Sequence, residues 1–215
     1  MLKAKVSKKE VARTYDILAP HYDFWSRFAE SKAHSRALSL VEIKGREKVL
    51  EVACGTGKNF SEILKMNEEG LNVGVDISGK MLRMSKKRVK DAARESYEFL
   101  MADARSLPFT DEAFDVVINS YMLDLIPVKD FFPILREFNR VMRKGGRMVL
   151  VNMTCGNPIF NAFWSLLYRF FPHTIGGCRS VQVKPFVEYV GFKIVNFEKI
   201  TQKGFPSEII KALKI

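Results

Sequence analysis

The sequence has few cysteines and no long apolar run, and each scarcity excludes a class of protein. Cys54, Cys155 and Cys178 are an odd number at irregular spacing, which fits neither a disulfide framework nor a CxxC metal site. We predict no metal, with a site of Cys155, His173 and Cys178 as the weaker alternative. Polar residues interrupt every apolar run before the roughly 20 residues that a membrane span needs. The basic start, MLKAKVSKKE, lacks the apolar segment of a secretion signal, so we expect a cytoplasmic protein.

The charge is strongly unbalanced, because the 215 residues carry a net charge of +11 at pH 7. Basic residues are concentrated in the first fifty positions and in the stretch KMLRMSKKRVKDAAR. Such clusters approach either nucleic acid or an anionic membrane surface. For the second cluster we favour the simpler interpretation, a solvated helix face.

Short β-type runs alternate with helical stretches from residue 48 onward. The runs are nearly continuous in apolar residues, as in parallel strands covered on both faces. Repeated β–α units predict a doubly wound parallel sheet, an α/β fold. We expect strands at 48–53, 71–76, 97–102, 114–120 and 147–153, and helices near 58–67, 79–94 and 129–143.

The last part of the chain follows a different pattern. A short helix, KPFVEYV, precedes two strand-like runs, FKIVNFEKI and SEIIKALKI, which a short loop around Gly204 joins. Strands joined so closely pair antiparallel, because a parallel crossover needs about a dozen residues. Two further segments fall outside the sheet: a broken helix over 8–40 and an aromatic helix over 158–171.

The stretch LEVACGTGKNF contains a glycine turn that completes neither common phosphate-binding pattern. Val52 stands where a P-loop needs its first glycine, and Phe60 stands where a dinucleotide fingerprint needs its third. Glycines let the backbone approach a ligand closely. Because the acid Glu51 would repel a pyrophosphate, the turn indicates a ligand with an ammonium group and a sulfonium.

Two further acids follow the next two predicted strands. Asp76 ends the second strand, where a carboxylate accepts hydrogen bonds from both hydroxyls of an unphosphorylated ribose. Asp103 lies just past the third strand and can accept a bond from the adenine amino group. Together with Glu51, these acids favour S-adenosylmethionine as the ligand.

The segments VLEVACGTG, VGVDIS, MADARSLPF, FDVVINSYMLDLIP and RVMRKGGRMVLVN together resemble the motif series of class I S-adenosylmethionine-dependent methyltransferases. This resemblance implies a Rossmann-like sheet of seven strands in the order 3-2-1-4-5-7-6, with strand 7 antiparallel and helices on both faces. We interpret residues 1–215 as a single methyltransferase domain. Its expected parts are a helical cap (1–45), a cofactor-binding half (48–153), an aromatic lid (154–182) and a C-terminal helix with a hairpin (183–215).

The resemblance also implies a role for individual residues around the cofactor. The methionine part would lie against Glu51, Ala53, Gly55 and Gly57, with its amino group on the Asn119 carbonyl. Asp76 would take the ribose. The adenine would contact Ile77, Met81, Asp103 and Ala104.

The acceptor is less clearly indicated than the cofactor. Enzymes of this class that methylate adenine or cytosine carry two prolines after strand four, whereas Asn119 here is followed by Ser-Tyr-Met. Nucleic acid is therefore a less favoured partner. The N-terminal VARTYDILAPHYDFW resembles quinone C-methyltransferases and bacterial-type phospholipid N-methyltransferases, which implies that Tyr15, Tyr22 and Tyr121 orient the acceptor.

The aromatic helix favours a lipid-like or other small hydrophobic acceptor. We expect one apolar face that is either buried or pressed into a lipid interface. Its residues are Phe160, Phe163, Trp164, Leu167 and Phe171, widened by Ile159, Leu166 and Phe170. Trp164, Tyr168 and Arg179 are the candidate substrate contacts. We predict methyl transfer by in-line displacement and peripheral contact with the inner face of an anionic membrane. An RNA or protein methyltransferase and a non-catalytic cofactor-binding assembly factor are the alternatives, and the oligomeric state stays open.

Overall fold

The computed structural model describes residues 30–90, 96–171 and 177–215. Fourteen elements, counting one 3-10 turn, occur in this part of the chain. The helices are α1 Ser31–Val41, α2 Lys58–Met66, α3 Gly79–Val89, α4 Phe131–Val141, α5 Pro158–Phe170 and α6 Lys184–Tyr189. The strands are β1 Lys48–Val52, β2 Leu71–Asp76, β3 Tyr97–Met101, β4 Phe114–Ser120, β5 Met142–Met153, β6 Phe192–Gln202 and β7 Phe205–Lys214. The 3-10 turn, Val128–Asp130, leads directly into α4.

The seven strands form one sheet in the order β3-β2-β1-β4-β5-β7-β6, which confirms the predicted fold class. All pairs among β1 to β5 are parallel. Strand β7 runs antiparallel to both β5 and β6. The short connection between β6 and β7 permits no other arrangement, as the sequence indicated.

The fourth helix ends earlier than predicted, and the fifth strand begins earlier. The expected helix reached residue 143, but α4 ends at Val141 and Met142 is already extended. Met142 pairs with Phe114, and the register then shifts before Arg147 pairs with Val116. Gly145 and Gly146 therefore lie in an irregular part of β5, since pairing with β4 replaces helix geometry from Met142 onward.

Helices pack on both faces of the sheet. On one face α4 and α6 pack through Phe131, Phe138 and Val187 against β4 and β5. On the other face α1 and α5 pack through Ala37 and Trp164 against β4, β5 and β7. We call this second side the α1/α5 face. Because the carboxyl ends of β1, β2, β4 and β5 all lie at one edge of the sheet, loops from both halves of the chain meet there.

Candidate functional site

The glycine turn after β1 packs closely against a helix on one side and leaves open space on the other. Ala53, Gly55 and Gly57 all have positive φ, at 57°, 56° and 75°. A Cβ on Gly57 would lie 2.9 Å from Ser85 of α3, so this glycine lets the turn pack against the helix. A Cβ on Gly55 would meet nothing within 4 Å. The Gly55 side of the turn therefore leaves room for a ligand.

Asp76, at the end of β2, holds this turn in place. Its carboxylate accepts hydrogen bonds from the backbone N–H groups of Gly55 (2.9 Å) and Ser78 (2.8 Å). Ser78 then caps α3 by accepting from the N–H of Met81 at 3.1 Å. Ile77 beside it is half-buried and Met81 is buried. The predicted ribose acid and two of the four predicted adenine contacts, Ile77 and Met81, thus lie close to the open side of the turn.

Glu51 is a buried acid near the end of β1. Burial raises its pKa to about 8, and the neighbouring Asp76 adds to the rise, whereas a hydrogen bond with Asn59 opposes it. Within the described residues its Oε2 atom has no hydrogen-bond partner. A carboxyl in this state gains a partner and ionises when a cation arrives, so the site fits the ammonium group of the expected cofactor.

Asn119 is the second-last residue of β4 and pairs with Val52 of β1. Its side-chain amide donates to the carbonyl of Val52 at 2.8 Å. Its Oδ1 atom is buried and has no partner in the part of the chain that the structure describes. The Glu51 and Asn119 side chains therefore leave two open acceptor atoms near the carboxyl ends of neighbouring strands.

Asp103 has a structural role in addition to the predicted one. Its carboxylate accepts from the backbone N–H of Arg105 at 3.1 Å and pairs with the Arg105 guanidinium at 2.8 Å. Arg105 also reaches Asp130 at 3.2 Å, so the three groups tie the turn after β3 to α4. Ala104 is buried in the core. The adenine role of Asp103 and Ala104 stays a prediction.

Tyr121 follows β4 on the α1/α5 face, with a positive φ of 52°. Its hydroxyl lies 2.7 Å from the Ser207 hydroxyl. Its ring packs between His34 (centroids 5.2 Å apart) and Phe205 (6.1 Å). A non-glycine residue in this conformation indicates a position fixed by its surroundings.

His34 is a site residue that the sequence analysis missed. On α1, its Nε2 lies 3.4 Å from the Glu30 carboxylate, and its Nδ1 contacts the Asn59 side chain. Asn59 in turn bonds Glu51. A lone histidine in ESKAHSRALSL follows no motif, so only the packing of α1 onto the turn could have revealed this connection.

The predicted substrate contacts Trp164, Tyr168 and Arg179 are all buried. The Trp164 indole donates to the Cys178 carbonyl at 3.0 Å. Arg179 donates to the carbonyl of Asp124 at 2.6 Å and to that of Ile126. Arg179 therefore supports the loop after β4 from inside the protein and is not a surface group.

The aromatic helix divides its apolar residues differently from the expected single face. Phe160, Trp164 and Leu167 pack inward, but Phe163 and Phe171 do not. The exposed side chains fall at helical spacing with Ile159 (82% exposed) at one end of the row. We define the α5 stripe as these exposed residues: Ile159, Phe163, Leu166 and Phe170.

The remaining predictions concern the N-terminal segment, metals and thiols. Tyr15, Tyr22 and His173 lie outside the described residues. No group of three acidic, histidine or cysteine side chains that could hold a metal occurs in the described ranges. No helix there is long and apolar enough to cross a membrane. Burial raises the pKa of the Cys54 thiol, which leaves it unreactive.

Known proteins share both sequence and fold with this chain. A family model described as the ubiE/COQ5 methyltransferase family matches residues 3–178. Demethylmenaquinone methyltransferase from Thermotoga maritima is 30% identical over 217 residues, covering 97% of this chain and 87% of the relative. The enzyme of that name from Listeria welshimeri is 27% identical over 178 residues, or 78% of this chain and 74% of its own. A SAM-dependent methyltransferase from Aquifex aeolicus, 16% identical, superposes with a TM-score of 0.69 over 93% of this chain and 98% of its own.

Proposed function

Because this chain belongs to the ubiE/COQ5 methyltransferase family, we propose that it moves a methyl group to a ring carbon of a prenylated quinol. The chain is an S-adenosylmethionine-dependent methyltransferase. The observation that carries the quinol proposal is the 30% identity, over 97% of the chain, to a demethylmenaquinone methyltransferase. A lipid-like acceptor was also the expectation from the aromatic helix.

The cofactor would lie along the edge of the sheet where β1, β2 and β4 end. Its methionine part would take the open Gly55 side, with the ammonium group near Glu51 and the Asn119 carbonyl. Asp76 would accept from the ribose hydroxyls. Ile77, Met81, Asp103 and Ala104 would surround the adenine. When bound, the cofactor supplies an electrophilic methyl group, and the protein contributes alignment and exclusion of water.

The acceptor would lie on the α1/α5 face, between Tyr121 and the inner side of α5. Trp164 and Tyr168 are buried there and belong to the wall of the proposed site. We also propose that Tyr15 and Tyr22, from the N-terminal segment, orient the acceptor. An aromatic wall suits a flat quinol ring, which packs on aromatic side chains in offset or edge-to-face contact.

The α5 stripe would bring the enzyme to its acceptor by resting on an anionic membrane. A row of large exposed apolar side chains on one helix is unusual for a surface that faces only water. The net charge of +11 complements anionic lipid headgroups. Lipid is therefore the occupant that we propose for the stripe.

The test is methyl transfer by the purified protein from labelled cofactor to separated acceptors. A reduced prenylated quinol lacking one ring methyl should take the label. Phosphatidylethanolamine, total RNA and total protein should not take it, and labelling of any of these with none in the quinol would overturn the proposal. Asp76→Asn should lose cofactor affinity and activity together. The matched control is Asp111→Asn, since Asp111 is an exposed acid far from the proposed ribose position in sequence.

A further inference from the structure

Asp124 is a fully buried carboxyl in the loop after β4. Its Oδ2 atom accepts from the backbone N–H of Met153 at 3.0 Å and from the Cys178 thiol at 3.3 Å. Its Oδ1 atom is buried and has no hydrogen-bond partner in the described ranges. A buried acceptor without a donor is unfavourable, so such an atom in a folded protein calls for an explanation, of which a catalytic role is one.

The position of Asp124 places this open atom on the acceptor side. Its two contacts, Met153 and Cys178, both belong to or pack against the core of the α1/α5 face. The backbone is held from behind, since the Arg179 guanidinium and the Arg179 N–H both donate to the Asp124 carbonyl, at 2.6 and 3.2 Å. Strand β4, which leads into the loop, pairs Asn119 with Val52 beside the cofactor turn. The carboxyl is thus fixed on the loop after the carboxyl end of β4, at the edge of the sheet where we propose the cofactor and acceptor to lie.

The groups around Asp124 allow it to take up a proton near neutral pH. Burial is the largest cause that raises its pKa to about 7, and Glu30, before α1, adds to the rise. The Met153 N–H, the Cys178 thiol and the Arg179 guanidinium lower it. Tyr121, on the same loop, interacts with Asp124 but stays neutral, because burial raises its own pKa.

We propose that Asp124 is a catalytic base, which accepts at Oδ1 the proton of the acceptor's ring hydroxyl. The inference rests on the quinol acceptor proposed above. Once the O–H proton is on Asp124, the oxygen electron pair moves into the ring. The ring carbon then forms the new C–C bond as the S–C bond breaks, leaving a neutral thioether. The ring C–H proton leaves to water, the Asp124 proton returns to oxygen, and one proton is released in total.

The first test is Asp124→Asn, which keeps the shape and an acceptor for the Met153 N–H. Its turnover should fall about a hundredfold or more, with unchanged cofactor affinity. The wild-type rate should rise with pH along a limb centred at about 7, the pKa of Asp124, and the variant should lack that limb. A variant that binds cofactor but keeps both the rate and the limb would overturn the proposal.

Two measurements do not depend on the folding of the Asn variant. Cys178→Ala removes a contact that lowers the pKa of Asp124, so its limb should move to higher pH while the plateau rate persists. For the wild type, an acceptor whose hydroxyl is already ionised over the tested range should show no limb. An unmoved limb in folded Cys178→Ala, or a persistent limb with the ionised acceptor, contradicts the base. Absence of quinol methylation by the wild type contradicts the proposed function instead.

Discussion

Cofactor binding should release a proton from Glu51. In the ligand-free protein this buried carboxyl has a pKa of about 8, so it is protonated at neutral pH. S-adenosylmethionine brings an ammonium and a sulfonium group, and a positive charge beside a carboxyl lowers its pKa. Between the lowered value and about 8, free protein holds the proton and the complex does not. Affinity must therefore rise with pH in that window.

The size of the effect follows from the position of the pKa. At pH 7 it lies about one unit above the pH, so ionising Glu51 in the free protein costs about 1.4 kcal/mol. Each further pH unit below 7 adds the same free-energy cost to ionising Glu51, which lowers the affinity about tenfold. The ligand's own amino group, with an ordinary pKa of about 8, loses its charge above that pH. The affinity profile should thus be bell-shaped, with its maximum near pH 8.

Isothermal titration calorimetry in two buffers of different ionisation enthalpy measures the released proton directly. Near pH 7 close to one proton should leave per ligand bound. Glu51→Gln should lose the rising side of the profile and retain the falling side. Glu69→Gln, an exposed acid paired with Arg46, should retain both. A wild-type proton release near zero, or a rising side in Glu51→Gln, would refute the reasoning.

Two further predictions concern the glycine turn and the α5 stripe. Gly57→Ala should lower the melting temperature because its Cβ would lie 2.9 Å from Ser85, whereas Gly55→Ala should change it less and mainly weaken cofactor binding. Calorimetry measures the melting temperature and the cofactor affinity of both variants. An equal fall in melting temperature for Gly55→Ala and Gly57→Ala would contradict this prediction. Phe163→Ser should weaken sedimentation with anionic liposomes, while Met101→Ser, at a residue 71% exposed on β3, should not. Equal liposome binding by both variants would contradict the stripe.

The fold was predictable because its signals are local. Each parallel strand is a short apolar run that ends at a turn, and the short connection at Gly204 fixes the antiparallel pair. The cofactor turn is equally local, since Gly55, Gly57 and Asp76 lie within one β–α–β unit. The misplaced boundary at Met142 had no local signal, because it depends on pairing with a residue 28 positions earlier on β4.

The acceptor side was less predictable because its groups come from distant parts of the chain. His34 reaches Asn59 across 25 positions, and Asp124 meets Met153 and Cys178 across 29 and 54. Although Asn59 lies in LEVACGTGKNF and Asp124 in FDVVINSYMLDLIP, no spacing in the sequence predicts these contacts. The burial of Arg179 was equally hard to predict. A cation that follows the sequence Gly-Gly-Cys is typical of a surface loop, and only its packing against the loop after β4 buries it.

This division of the site has a functional consequence. The proposed cofactor half uses the turn after β1 and residues at the ends of β2, β3 and β4, so a substitution there should remove activity whatever the acceptor. The proposed acceptor half uses side chains from α1, the loop after β4, α5 and the segment before α6, where acceptor contacts can change while the cofactor turn is kept. A change at Asp124 would accordingly alter which acceptors react and leave cofactor affinity intact. Activity measured with acceptors of different hydroxyl acidity therefore reports on the acceptor half of the site independently of the cofactor half.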